Sequence, residues 1–186
     1  MIICVTGESG SGKSTFAKLL AREMLYKYID VDDIVHRMYK NKKMINKFID
    51  LFGSEIVENG KVSRKLVGQI ALKSKDGFDR LNTATWEYIE NKIDNLIKRY
   101  KNVVIDYKFL PITKYFKMPS CNILVKADKV KRIVKIKERD GLKDDYISLR
   151  DSYSPNYENY TFEEIVFNDY LTDFKENIKK IKEIVR

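Results

Sequence analysis

Ile2-Ile3-Cys4-Val5-Thr6-Gly7-Glu8-Ser9-Gly10-Ser11-Gly12-Lys13-Ser14-Thr15 opens the chain and decides its fold. Ile2 to Thr6 reads as a buried strand, and Phe16, Leu19, Leu20 and Met24 recur behind the loop at the spacing of one helix face. Between strand and helix, residues 7–14 fit the pattern G-x-x-x-x-G-K-[ST]. Gly7, Gly10 and Gly12 sit where the backbone must turn tightly and bring successive N–H groups against phosphate oxygens, a place where a Cβ would intrude. The helix N-terminus adds partial positive charge. Lys13 is expected to reach the β- and γ-phosphates of ATP, Ser14 to ligate Mg²⁺ through its hydroxyl, and Ser11 and Thr15 to add phosphate contacts. A chance Gly/Ser turn would not need strand, loop and helix in this order.

The same alternation continues downstream. Apolar runs at Tyr26 to Ile29, Val103 to Tyr107, Cys121 to Lys126 and Ile165 to Phe167 are separated by amphipathic stretches. Among these is a long central one carrying Phe78, Leu81, Thr85, Ile89, Ile93 and Leu96, and a C-terminal one carrying Leu171, Phe174, Ile178, Ile181 and Val185. Continuously apolar strands separated by helices indicate an α/β fold, a five-stranded parallel sheet covered on both faces. The stretch from about residue 31 to 99 holds helices and no convincing strand, more than one crossover needs, so it is expected to form a helical insertion beside the sheet that walls off an acceptor.

The size of the chain, 186 residues, suits one domain of residues 1–186 with such an insertion. Its 44% hydrophobic and 34% charged residues exclude a disordered or fibrous protein. Met1 to Thr6 has no basic leader and breaks after six residues, so it reads as neither signal peptide nor membrane span, and no later stretch is long enough to span. Cys4 and Cys121 lie inside apolar runs without metal or redox spacing, which suggests buried, reduced thiols in a cytoplasmic protein. The formal charge of +9 calls for an anionic partner. Nucleic acid is disfavoured because no basic-aromatic recognition motif accompanies that charge.

Two acidic sites fall at strand ends, where the carboxyl edge of an α/β sheet lines its ligand crevice. In Ile29-Asp30-Val31-Asp32-Asp33, strand alternation would put Asp30 and Asp32 on one face. These acids fit contact with phosphates or acceptor and fit N-capping of the next helix equally well. Asp106, closing Val103-Val104-Ile105-Asp106, is ambiguous between a Mg²⁺-water contact and a turn former. His36 reads as a helix residue rather than a catalyst. Residues 126–139 hold seven cations against Asp128 and Glu138, more than half of the chain's excess charge. Most of these cations should be solvated. Arg139, and Lys135 one helical turn before it, are the candidates to fold over ATP phosphates from a lid of about residues 129–160.

With these residues in place the chain resembles the dephospho-CoA kinase family over nearly its full length. The likeness runs through Gly12-Lys13-Ser14-Thr15, Ile29-Asp30-Val31-Asp32, Phe52-Gly53, Val62-Ser63-Arg64-Lys65-Leu66, Val104-Ile105-Asp106 and Arg139-Asp140-Gly141-Leu142. The resemblance implies transfer of the ATP γ-phosphate to the ribose 3′-hydroxyl of dephospho-CoA, the last step of coenzyme A synthesis. Asp32 would be the base that orients the hydroxyl, Arg139 a lid residue, and Asp30, Arg64 and Asp106 acceptor-side residues. The partners implied are a nucleotide donor and a phosphorylated acceptor. The chain departs from the family at Thr85-Trp86-Glu87, where a Thr-His-Pro is usual, and at Asp106-Tyr107-Lys108-Phe109-Leu110. Lys135 stands for an arginine, Ser154-Pro155-Asn156-Tyr157 replaces a glutamine-containing stretch, and Asn168-Asp169 lacks the glycine of an Asn-x-Gly loop. A kinase of another small acceptor, a nucleoside or nucleoside monophosphate, and a non-catalytic nucleotide-binding regulator are the alternatives.

Overall fold

The computed structural model of the protein describes residues 1–118 and 121–185. They divide into two compact units, one made of Met1–Asp30 with Ile97–Arg186 and the other of Val31–Leu96.

The first unit carries a five-stranded sheet built from β1 (Ile2–Thr6), β2 (Lys27–Asp30), β5 (Val103–Asp106), β6 (Cys121–Ala127) and β7 (Glu164–Asn168). Its order is β2-β5-β1-β6-β7 and every pairing is parallel. All five expected apolar runs are strands, with no end shifted by more than one residue; the second starts at Lys27 and runs through Asp30. β1 is the central strand and buried throughout, so the loop that follows it emerges at the middle of the sheet's carboxyl edge. Helix α1 (Lys13–Met24) packs Phe16, Ala17 and Leu20 onto Ile3, Val5, Val104 and Ile123, and the C-terminal helix α9 (Lys175–Ile184) adds Ile178 and Ile181 to the same core. Phe16 meets Phe174 edge-on at 5.2 Å, and full burial of each such side chain contributes about 2 kcal/mol. The unit is completed by a short α6 (Lys114–Lys117), by α7 (Lys129–Asp140) and by α8 (Asp144–Ser152). Cys4 and Cys121 are buried and free.

The second unit is helical: α2 (Val31–Met38), α3 (Lys42–Phe52), α4 (Arg64–Ala71) and most of α5 (Lys75–Tyr100). Met38, Met44, Phe48, Phe52, Val67 and Ala71 form its own core. Asn41 caps α3 by accepting from the N–H groups of Lys43 and Met44, and Ser63 caps α4 by accepting from Leu66. A two-residue hairpin, β3 (Val57–Glu58) with β4 (Lys61–Val62), also lies here, turning through Asn59 and Gly60 in left-handed conformations. Sequence periodicity misses it, because two residues per strand leave no alternation to read.

Candidate active site

The loop from Gly7 to Ser14 adopts a form that only its glycines permit. Gly7, Gly10 and Gly12 have φ of 150°, 80° and 87°. A Cβ on Gly7 would run into the Val125 carbonyl oxygen, and one on Gly12 into the Asn168 amide. Gly12 is the N-cap of α1, so Lys13 begins the helix and stands at its positive end with only 9% of its surface exposed. A cleft of about 600 Å³ opens beside the loop, lined by Gly10, Gly12, Lys13, Ser14 and Thr15. Lys135 and Arg139 of α7, and Asn168 and Tyr170 after β7, complete its wall. Ser11 is buried against the loop and its hydroxyl has no protein partner. Backbone N–H groups, a helix N-terminus and a lysine converging on one cleft make a receptor for a polyphosphate.

An acidic pair closes the strands at this edge. Asp30 and Asp106 are opposite each other in the β2–β5 register. The Tyr28 hydroxyl donates to Asp106 Oδ2 at 2.9 Å and also reaches Asp30 Oδ2 at 3.4 Å. Asp106 is 3% exposed. Its burial pushes the carboxyl above the usual carboxylate range, while Lys13, Ser14 and Tyr28 pull it back. Its Oδ1 is buried without a hydrogen-bond partner. Asp106 is therefore coupled electrostatically to the helix that carries Lys13 and Ser14.

The expectation that Asp30 and Asp32 share a strand face is corrected. The strand stops at Asp30 and α2 begins at Val31, so strand alternation does not relate the two. Asp32 and Asp33 instead occupy the first turn of α2, favourable for its dipole. Asp33 pairs with Arg37 one turn later, leaving Asp32 the exposed acid of that turn. In the same unit, Arg64 is the first residue of α4 and its guanidinium Nη1 contacts His36 Nε2. His36 is thus a partner of a predicted site residue, a pairing that 27 intervening residues hide from sequence reading.

Among the cations of residues 126–139, Lys135 and Arg139 are exposed; Lys135 pairs with Glu138 at 3.0 Å and Arg139 with Asp140 at 2.7 Å. Arg132 departs from the expectation of solvation: only 1% of its surface is exposed. Its guanidinium pairs with Asp151 at 2.6 Å and with Glu8 of the loop at 3.0 Å. Asn168, which the sequence marks only by its resemblance to an Asn-x-Gly loop, stands in the cleft wall with Tyr170, which sequence reading does not single out. Ile136, one turn after Arg132, is buried with it and shares the inward face of α7.

Comparison with known proteins then fixes the family. A family profile described as dephospho-CoA kinase matches residues 1–157. The chain belongs to the dephospho-CoA kinase family. Among curated proteins of this family, dephospho-CoA kinase of Dehalococcoides mccartyi is 29% identical over 175 residues, covering 90% of this chain and 88% of that protein. That of Wolbachia pipientis wMel is 26% identical, covering 75% and 74%. The fold is shared with a solved structure of TT1252 from Thermus thermophilus, with a TM-score of 0.80 at 22% identity, covering 100% of this chain and 95% of that one. It is shared too with dephospho-CoA kinase from Campylobacter jejuni, with a TM-score of 0.62 at 22% identity over 99% and 96%. The family's phosphoryl chemistry matches the anion-receptive loop. No described helix is long and apolar enough to cross a membrane.

Proposed function

We propose that this chain transfers the γ-phosphate of ATP to the ribose 3′-hydroxyl of dephospho-CoA, the final step of coenzyme A synthesis, in the cytoplasm. The observation that carries the reading is the family match over residues 1–157, which spans the phosphate loop, Asp32, Asp106 and Arg139. In this reading Lys13 holds the β- and γ-phosphates, and the backbone of Gly7, Gly10, Ser11 and Gly12 with the Thr15 hydroxyl cradles them. Asp32 orients the acceptor hydroxyl and takes its proton. A loose phosphoryl-transfer transition state develops little charge on the attacking oxygen, so an ordinary exposed carboxylate suffices as base. Arg139 and Lys135, from a lid of about residues 129–160, stabilise charge on the transferred group and exclude water. Asp30, Arg64 and Asp106 serve the acceptor side, with the helical insertion of about residues 31–99 receiving the acceptor.

The residues beside the loop suit Mg²⁺. Ser14 offers a hydroxyl, and the orphaned buried Oδ1 of Asp106 is a hard oxygen that would coordinate such an ion or accept a hydrogen bond from its bound water. Among the described residues no cluster of three or more ligating side chains is present, which fits an ion held by one or two protein oxygens and phosphates. Bound there, Mg²⁺ would neutralise charge on the β- and γ-oxygens.

A panel of acceptors tests the reading: dephospho-CoA, nucleosides and nucleoside monophosphates, with ATP consumption followed for each. Turnover with dephospho-CoA and not with the others is expected. Turnover only with a nucleoside or nucleotide would move the assignment to another small-acceptor kinase, and ATP binding without turnover on any acceptor would favour a regulator.

A further inference from the structure

Three consecutive carbonyls of the phosphate loop are each held by a side chain from elsewhere in the fold. Arg132 Nη1 donates to the Ser9 oxygen at 2.9 Å, the Tyr170 hydroxyl to the Gly10 oxygen at 2.7 Å, and Asn168 Nδ2 to the Ser11 oxygen at 3.0 Å. In a planar trans peptide the carbonyl and the following N–H point to opposite sides. Fixing these oxygens therefore fixes the N–H groups of Gly10, Ser11 and Gly12. The Ser11 N–H closes the loop on Glu8 O at 3.2 Å, and Gly10 and Gly12 line the cleft. We propose that Arg132, Tyr170 and Asn168 are positioning residues that hold the phosphate loop in its anion-receptive form before nucleotide arrives.

Each residue is itself held for this task. Arg132, 1% exposed, offers no surface to a ligand, and its guanidinium divides between Asp151, Glu8 and the loop carbonyl. A buried ion cluster adds little to stability, so orientation is what it delivers. Its own backbone oxygen and Cγ also wall Gly10, leaving no room for a Cβ there. Asn168 is buried and its amide orientation is set, because Oδ1 accepts from Tyr170 N at 2.9 Å and Nδ2 is left to face Ser11. Tyr170 has φ of 65°, a left-handed conformation that a residue with a side chain adopts at an energetic cost. Its phenol reaches Gly10 from that position. Strain of this kind persists where surrounding contacts over-determine it, and it clusters at ligand sites. Released from these bonds, a loop with three left-handed glycines would sample many forms, and binding would have to order it first.

The inference rests on the reading of the loop as a nucleotide phosphate site and not on the identity of the acceptor. Tyr170→Phe removes one hydroxyl and Arg132→Lys removes the forked donor while keeping the charge. Affinity is measured by calorimetry for ATP and for tripolyphosphate, which has the phosphates without the nucleoside, beside thermal unfolding. Both variants are expected to bind both ligands about three- to tenfold more weakly, the scale of one net hydrogen bond, with equal losses for the two ligands. Unchanged affinity in a folded Tyr170→Phe protein overturns the proposal, as does a loss for ATP alone, which would mean direct contact with the nucleoside. If Arg132→Lys does not fold, Tyr170→Phe decides. Normal ATP binding without phosphorylation of dephospho-CoA would sink the acceptor assignment and leave this proposal standing.

Discussion

Tyr28 and Asp106 are joined by a 2.9 Å hydrogen bond between neighbouring strands, the phenol donating to Oδ2 of a carboxylate that is almost wholly buried. Burial and the charges of Asp106 and Asp30 push the Tyr28 hydroxyl far above its ordinary range, so it stays protonated and is a permanent donor. It fixes one oxygen of Asp106 and leaves Oδ1 available.

Tyr28→Phe should therefore unfix a carboxylate rather than empty a pocket. A hydrogen bond to a charged group contributes about 1.5–3 kcal/mol, so denaturant unfolding is expected to show a loss near the lower end because the ring remains. The Mg²⁺ concentration for half-maximal turnover should rise several-fold. An unchanged Mg²⁺ requirement would remove Asp106 from the ion's surroundings.

Asp32→Asn separates chemistry from binding. An interaction made only in the transition state lowers kcat without weakening the ground-state complex. Loss of the base is expected to cost turnover about a hundredfold or more and leave ATP affinity, measured directly, within about twofold. Lys13→Ala is the contrasting variant, expected to lose both. Equal losses in Asp32→Asn would return that acid to a helix-capping role.

What could be read in advance and what could not divides along physical lines. The inner strands β1, β5 and β6 were legible because both faces of the sheet are covered there, which makes each a continuous apolar run, and Gly7 to Ser14 because tight phosphate contact forbids side chains. The relation between Asp30 and Asp32 was misread because a strand and a helix meet between them, and period-two reasoning fails across that junction. Arg132 was hidden in a run of cations: composition sets how many are charged, and only the packing of α7 decides which one turns inward. Tyr170 carries no sequence signal at all, since a left-handed tyrosine violates the local preference that would have announced a glycine there.

Gly12→Ala tests the close approach of two chain segments. Gly12 has φ of 87°, and a Cβ there would press into the Asn168 amide that holds Ser11. A left-handed alanine costs about 1 kcal/mol from conformation alone, and the clash adds to it. A loss of about 2 kcal/mol or more in unfolding free energy is expected, together with loss of ATP binding. Wild-type stability would mean that Asn168 can move aside.

Cys121 gives a pH dependence with a definite sign. Burial, with Glu163 and Glu164 nearby, pushes its thiol up from an ordinary 9.0 to about 11. The folded protein holds this proton more tightly than the unfolded chain, so the contribution to stability is complete below about pH 9 and is lost as pH rises through about 11. The thiolate is the reactive form, and the side chain is 4% exposed. At about pH 8 a thiol reagent should label Cys121 in the native protein far more slowly than in denaturant, and Cys121→Ser should flatten the alkaline fall in stability between about pH 9 and 11. Rapid native labelling at about pH 8 would show that the start of β6 opens, and an unchanged alkaline slope in Cys121→Ser would assign that slope to other groups.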